Sequence, residues 1–547
     1  MKRIATLVAR LMLIAGLISS SPIHSLFAQD SVHTDAPATA EFRVMTWNIW
    51  HGGREDGEEV GPLRVAEVIR DSQADVVAMQ ETYGSGERIA EELSFHFQPR
   101  GTNVSILSRY PIIEDISVFD EFKCVGGLIE LPTGDRIAFY SIWLPYAADI
   151  WLPSSRESLT TDELQAACQP SANDLASIHR AIQDRLADDK YRDVSIVIAG
   201  DFNSMSHLDY RPLTLDQYGT PIDWHTSHVL IDAGFRDAYR EARPTIDRAA
   251  DATWSPRFPE QEQDRIDFVY YRSAKWRSVE SQVIRDHAER FPSDHGAVVA
   301  TFQALSDEQR ERGRSPRVAS YNVRRGFGMD NRTNLTRTAD TLRGFDADLI
   351  GLQEIDVNAE RSGVQNQAWR LGQELGMHSA FAKFLDFQGG QYGLAILSRY
   401  PIQRIERIEL PEGNEPRTAL AIDLLLPDDT VITAVNIHFD WVRDDGFRFQ
   451  QAERLHDALS QWNRPFVLTG DFNDQPGSRT IELFRDLATE ADKPMTASGT
   501  YPANKPEIEI DFIFAGPSEQ WEVGPSRVVD EPVTSDHRPV LTTLRLK

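Results

Sequence analysis

The stretch Phe466–Gln475, FVLTGDFNDQ, is matched by Ser195–Met205, SIVIAGDFNSM. In both, a short apolar run stops on Gly and Asp, which reads as a buried strand running into a tight turn. Side chains alternate along a strand, so an aspartate and the asparagine two residues on are delivered to one face. A chain that carries this device twice is constrained to be two copies of one catalytic scaffold.

Other landmarks repeat in the same order. Phe42–Ile49 reads as a strand delivering Asn48, and Asp75–Gln80 as a second that ends on Glu81, with a helical pattern between them placing Val65, Val68 and Ile69 on one face. In the second copy Arg317–Val323 delivers Asn322, Leu335, Ala339 and Leu342 mark the helix, and Leu349–Gln353 ends on Glu354. Ser108–Pro111 recurs as Ser398–Pro401, and Asp294–His295 recurs as Asp536–His537. Strand, helix, strand with a polar residue at each strand end is an α/β signature. The spacers differ: Glu81 to Ser108 is 27 residues against 44 from Glu354 to Ser398, and Asp201 to Asp267 is 66 against 40 from Asp471 to Asp511. Matched strand ends with variable spacers imply one fold with different loops, where substrate choice usually resides.

The chain has 547 residues, enough for two cores. Its formal charge of −27 argues against general attraction to nucleic acid or acidic membrane. A phosphate substrate remains compatible with it, since bound divalent cations reverse the sign inside a cleft. Lys2, Arg3 and Arg10 around the apolar run Ile4–Ile18, with Ala28 before Gln29, read as a cleaved signal peptide over residues 1–28. Residues 29–41 read as a flexible linker, 42–303 as domain 1, the charged segment 304–316 as a second linker, and 317–547 as domain 2. The expected location is secreted or periplasmic, with no integral membrane association after processing. Export would permit Cys124 and Cys168 to pair, a link worth about 4 kcal/mol on the chain-entropy model; two free thiols are the other reading.

Strand ends of the second copy thus deliver Asn322, Glu354, His438, Asp471, Asn473, Asp511, Asp536 and His537. Carboxylates and carboxamides are hard oxygen donors suited to Mg²⁺, Mn²⁺ or Ca²⁺. Histidines beside them can donate to phosphate oxygens or exchange protons near neutral pH. A Lewis acid, an aspartate for water and polar clamps are the parts that phosphoester hydrolysis needs.

The motifs WNIWHGG, VAMQE, ILSRYP, GDFN, RIDF and SDH in the first copy, and YNVRRG, LIGLQE, GLAILSRYP, VNIHFD, TGDFN, EIDF and SDH in the second, resemble those of the endonuclease/exonuclease/phosphatase superfamily, deoxyribonuclease I-like proteins, in its exported bacterial form. The resemblance implies a four-layer α/β sandwich, two packed mixed sheets flanked by helices, present twice in tandem. It also implies that Glu354 ligates the metal with Asn322 beside it and Asp536 supporting that side. Asp471 would orient or deprotonate the attacking water, Asn473 would hold the phosphate, His438 and His537 would contact it, and Asp511 would buttress His537. Asn48, Glu81, Asp201, Asn203, Asp267, Asp294 and His295 take the same roles in the first copy.

The first copy departs at YSIWLPY, which puts Trp143 where VNIHFD has His438. An indole offers one N–H and no titratable proton, so a cationic His438 should leave the chemistry mainly in domain 2. Of the aromatics in the long loop of copy one, Tyr210, Trp224 and Trp254, the expectation for Trp254 is a place in a local core. The reading is an exported divalent-metal-dependent phosphoesterase acting on phosphodiesters or phosphomonoesters. Its substrate would be a small molecule, a lipid head group or nucleic acid, and whether domains 1 and 2 pack together stays open at this point. A secreted nuclease, or domain 1 as an impaired ligand-binding module, are the alternatives; the absence of a long Lys/Arg-rich stretch counts against the nuclease.

Overall fold

The computed structural model describes residues 40–146 and 150–547. The leader and most of the first linker lie outside the described residues.

The apolar runs form strands as their patterns dictate. In the first half one sheet orders its strands Trp276–Ile284, Ala297–Ala304, Glu41–Asn48, Val76–Gln80, Val104–Ser108 and His96–Arg100. Its partner sheet runs Ile112–Asp115, Cys124–Glu130, Arg136–Trp143, Ser195–Asp201, Asp267–Arg272 and Arg236–Asp237. The second half repeats both orders around Arg317–Asn322 beside Leu349–Val357, and around Val431–His438 beside Phe466–Asp471. Each sheet contains one parallel pair among antiparallel neighbours. Both halves are therefore sandwiches of two mixed sheets, flanked by helices such as Val60–Ser72, Thr161–Arg185, Leu335–Arg343 and Gly446–Leu459.

Each sandwich is closed by apolar side chains from facing sheets. Val44, Val76, Ile106, Phe139, Val197 and Val269 fill the first. Val318, Leu349, Ile396, Ile422, Val467 and Ile513 fill the second. The helix between the first two strands buries Val65, Val68 and Ile69 against the outer face of its sheet, as their spacing requires.

The two cysteines are free and buried. Cys124 lies among Leu128, Tyr140 and Phe202, whereas Cys168 packs in a separate cluster with Trp224 and Met205. Burial pushes their thiols up, to about 12 and about 11.

The charged segment 304–316 is more ordered than a linker. Asp307–Arg314 is a helix whose Ser306 accepts from Gln309 N while Gln309 returns a bond to Ser306 N, a capping box. Arg312 ties it to Asp348 at 2.8 Å.

The halves join within one contiguous unit, Ala40–Lys547. Arg236, 1% exposed, reaches from the first half to Leu425 O, Leu426 O and Asp429 of the second. Arg277 donates to Pro427 O and pairs with Asp429 at 3.3 Å. Elsewhere the Trp369 indole donates to Ile246 O at 3.1 Å, and His207 Nε2 lies 3.3 Å from Gln403 O.

Candidate active site

In open α/β sheets, ligands meet the carboxyl ends of parallel strands. Here Asn48, Glu81 and Asp201 of the first half stand at such ends, and so do Asn322, Glu354 and Asp471 of the second. Glu81 and Glu354 hold φ of 54° and 58°, and Asn203 and Asn473 hold 47° and 50°. Left-handed backbone at such residues costs about 1–3 kcal/mol and persists where the surroundings over-determine it, often at functional sites.

The two constellations share one core of bonds. Asn48 Nδ2 donates to Glu81 Oε1 at 3.2 Å and Asp201 Oδ2 at 3.1 Å; Asn322 donates to Glu354 and Asp471, both at 3.1 Å. His295 Nδ1 meets Asp267 Oδ2 at 3.0 Å, and His537 Nδ1 meets Asp511 Oδ2 at 2.9 Å. That contact turns each Nε2 toward the central aspartate, 3.9 Å from Asp201 and 3.6 Å from Asp471. Asn203 and Asn473 N–H donate to Asp201 and Asp471, and their side chains brace Leu144 O and Phe439 O. Asp294 and Asp536 adjoin the histidines in sequence, with Ser293 and Ser535 hydroxyls anchored on Asn48 O and Asn322 O.

Burial sets the charges. By itself it would lower His295 and His537, but Asp267 with Asp201, and Asp511 with Asp471, outweigh it and raise both imidazoles to about 10. Burial and the neighbouring Asp267 or Asp511 raise the Asp201 and Asp471 carboxyls. Asp294 is pushed up to about 6, chiefly by burial and then by Glu81. Its Oδ1 is buried with no hydrogen-bond partner.

These facts bear on a cation. Asp201, Asp267 and His295 bring ligand atoms within 4.8 Å of one another, as do Asp471, Asp511 and His537. An imidazolium repels a metal, however, so each trio suits proton holding. The unpartnered Asp294 oxygen beside the like charge of Glu81 fits a hard divalent ion. Asp536 differs in lying within ion-pair distance of Arg324, Nε to Oδ2 3.3 Å.

His438 does not behave as a cation. It is buried, and burial, Arg417 and His537 hold its pKa well below the ordinary imidazole value. It is a neutral ring with Nε2 3.4 Å from Asp471 Oδ2. The expected electrostatic advantage over Trp143 therefore disappears. Trp143 instead lines a cleft of about 270 Å³ in the first half, with Trp50, Tyr146, Trp151 and Trp254 above Glu81 and Asp201. Tyr210 and Trp224 are buried in a local core. Trp254, half-buried, packs against that core and also lines the cleft, its ring 4.9 Å from that of His295, because backbone bridges to Asp264 and His295 hold its segment over the site.

A family model described as Endonuclease/Exonuclease/phosphatase family matches residues 45–295 and again 319–537. The chain belongs to that family. Hydrolases of that family act on phosphoester bonds. The chain is similar to a Caenorhabditis elegans protein, F14F9.5, at 30% identity over 307 residues, covering 50% of this chain and 94% of the relative. It is similar to YbhP of Escherichia coli K12 at 26% identity over 219 residues, covering 36% of this chain and 83% of the relative. Among solved structures, the endonuclease/exonuclease/phosphatase from Bacteroides vulgatus aligns with a TM-score of 0.37 and 23% identity, over 43% of this chain and 99% of its own.

Proposed function

We propose that the protein is a divalent-metal-dependent phosphoesterase in which both halves carry hydrolytic machinery. The observation behind this reading is the same network in each half, from the strained glutamate through asparagine and aspartate to an aspartate-held imidazolium. The reading replaces an allocation of the chemistry mainly to domain 2, whose ground was a cationic His438.

Mg²⁺, or Mn²⁺ or Ca²⁺, would be held by Glu81 and Asp294, and by Glu354 and Asp536, with Asn48 and Asn322 alongside. Such an ion supplies Lewis-acid stabilisation of charge on phosphoryl oxygens. Asp201 and Asp471 orient the attacking water and accept its proton, a task suited to carboxyls raised by burial. His295 and His537, charged and fixed by Asp267 and Asp511, donate Nε2–H to a phosphate oxygen as negative charge builds there. Asn203 and Asn473 brace the turns that present these aspartates. Trp143 and His438 each add one neutral N–H donor.

The decisive experiment is turnover of bis-p-nitrophenyl phosphate and p-nitrophenyl phosphate by the purified chain with Mg²⁺ or Mn²⁺. Activity should vanish in EDTA and in the Asp201→Asn/Asp471→Asn double variant. Full turnover in either condition sinks the proposal. The leader pattern also makes this an exported protein; native material whose N-terminus is Met1 would contradict that part.

A further inference from the structure

The rims of the two sites differ position by position, and strand register fixes the correspondence. Trp143 stands opposite Asp201 as His438 stands opposite Asp471. Cys124 pairs with Ile142 and Leu420 with Asn436, so Phe122 and Arg417 hold equivalent places before the neighbouring strand. Trp50 N donates to Asn48 Oδ1 as Arg324 N donates to Asn322 Oδ1, both at 3.0 Å. Trp50 therefore corresponds to Arg324, and His51 to Arg325.

Aromatic groups thus stand in the first half where guanidinium groups stand in the second. Phe122 meets Trp143 edge-on, ring centroids 5.5 Å apart. In its place Arg417, with a side chain 1% exposed, pairs with Glu415 at 3.0 Å and lies 4.8 Å over Phe384, whose ring is 6.3 Å from that of His438. Its Nε and Nη1 are buried without partners, a state that leaves donors short of an acceptor. The half-buried Arg325 guanidinium has no hydrogen-bond or carboxylate partner among the described residues and rests 4.9 Å from Phe327. Crowding by Arg361 and Arg324, after burial, lowers its proton affinity, while Glu354 opposes that fall. Arg361, clamped to Asp356 at 2.8 and 2.9 Å, lies over Tyr392 at 4.9 Å. Arg361 and Tyr392 both come from the longer Glu354–Ser398 segment of the second half. In the first half Arg257 lies over Trp50 at 5.5 Å and pairs with Asp56 at 3.4 Å, its Nε and Nη1 likewise buried without partners, so the free Arg325 is what sets the second rim apart.

We propose that the site of the second half takes phosphoesters bearing a second phosphate, with Arg325 contacting that group and Arg417 supplying a buried positive field behind His438. The first site, walled by Trp50, Trp143 and Trp254, takes phosphoesters whose remaining part is an uncharged ring. The assignment rests on reading both halves as phosphoester sites. It concerns which substrate each prefers, so it is tested by binding.

Titration calorimetry on the full chain carrying Asp201→Asn and Asp471→Asn, with Mg²⁺, compares fructose 1,6-bisphosphate with fructose 6-phosphate. The bisphosphate should bind about tenfold tighter at one site, a difference of about 1.4 kcal/mol. Adding Arg325→Gln should bring the two affinities within about twofold, while Arg325→Lys retains part of the preference, as a charged contact would. Trp50→Leu should leave the ratio unchanged. Equal affinities in the parent, no binding of either sugar phosphate, or a ratio that survives Arg325→Gln overturns the assignment. A protein that failed to hydrolyse any ester could still show the preference, which separates this outcome from failure of the catalytic reading.

Discussion

His438 Nε2 lies 3.4 Å from Asp471 Oδ2, and burial has moved both groups toward their neutral forms. The contact joins a neutral imidazole to a carboxyl of raised proton affinity. Asp471 is therefore suited to take a proton from water while His438 serves as a neutral donor.

This contrast sets the first prediction. With the first site silenced by Asp201→Asn, Asp471→Asn should reduce the remaining kcat by about 10²–10⁴, the range of a lost general base. His438→Gln keeps a neutral N–H and should stay within about tenfold of its parent, whereas His438→Ala should lose about 10²–10³, the cost of one missing donor. A His438→Gln variant as damaged as Asp471→Asn would show that the ring acts as a cation after all. Steady-state kinetics on bis-p-nitrophenyl phosphate decide it.

The aspartate-held histidines give the second. Asp511→Asn removes the charge that keeps His537 protonated, so its imidazole should titrate below its present value of about 10. Activity of the second site should then fall as pH rises from 6 to 9 (a window of about three units around the ordinary histidine range). The parent should not lose activity over this interval, since His537 stays charged and the raised Asp471 carboxyl becomes a more available base as pH rises. A flat profile in Asp511→Asn would remove the assigned role.

Much of this was legible in the chain because strands here end on chemistry. Apolar runs stopped by Asp201, Asp471, Glu81 and Glu354 announce both the sheets and the residues at their edges. The charge on His438 was not legible, because Arg417 reaches it from a neighbouring strand, and a lone arginine in a polar loop reads as solvated. Trp254 does pack against the local core, but its second place on the cleft was not legible, since its bridges to Asp264 and His295 are tertiary. The helix Asp307–Arg314 did leave a signal, Ser306 three residues before Gln309, but its polarity concealed the element. The Arg236 junction left none.

That junction carries the third prediction. Arg236→Ala would leave the buried Leu425 O and Leu426 O short of a donor and leave Asp429 to Arg277 alone. The expected loss is about 3 kcal/mol of stability, read as a lower midpoint in urea. A change below about 0.5 kcal/mol, the range of ordinary surface substitutions, would contradict it.

Acid should weaken the chain through two histidines, His378 buried and His207 half-buried. Burial and then the stacked His228 lower His207 to about 3, and burial with Arg211 and Arg240 lowers His378 to about 3. Depressed histidines bind protons more readily in the unfolded chain, so their contribution is complete above the ordinary value of about 6.5 and is lost as pH falls from there toward 3. The melting temperature should drop between pH 6.5 and 5 (about one and a half units into that window), and less steeply in His207→Gln and His378→Gln. Identical slopes in all three proteins would exclude these rings as the cause.

The turn 425–429 belongs structurally to one half, yet its carbonyls are satisfied by arginines of the other. Melting either half strips partners from its neighbour, so the stabilities of the two are coupled. Occupancy of one site, which stabilises the folded chain by mass action, is then felt at the other without any movement between them. A substrate for the guanidinium-lined site would protect the tryptophan-lined site from heat.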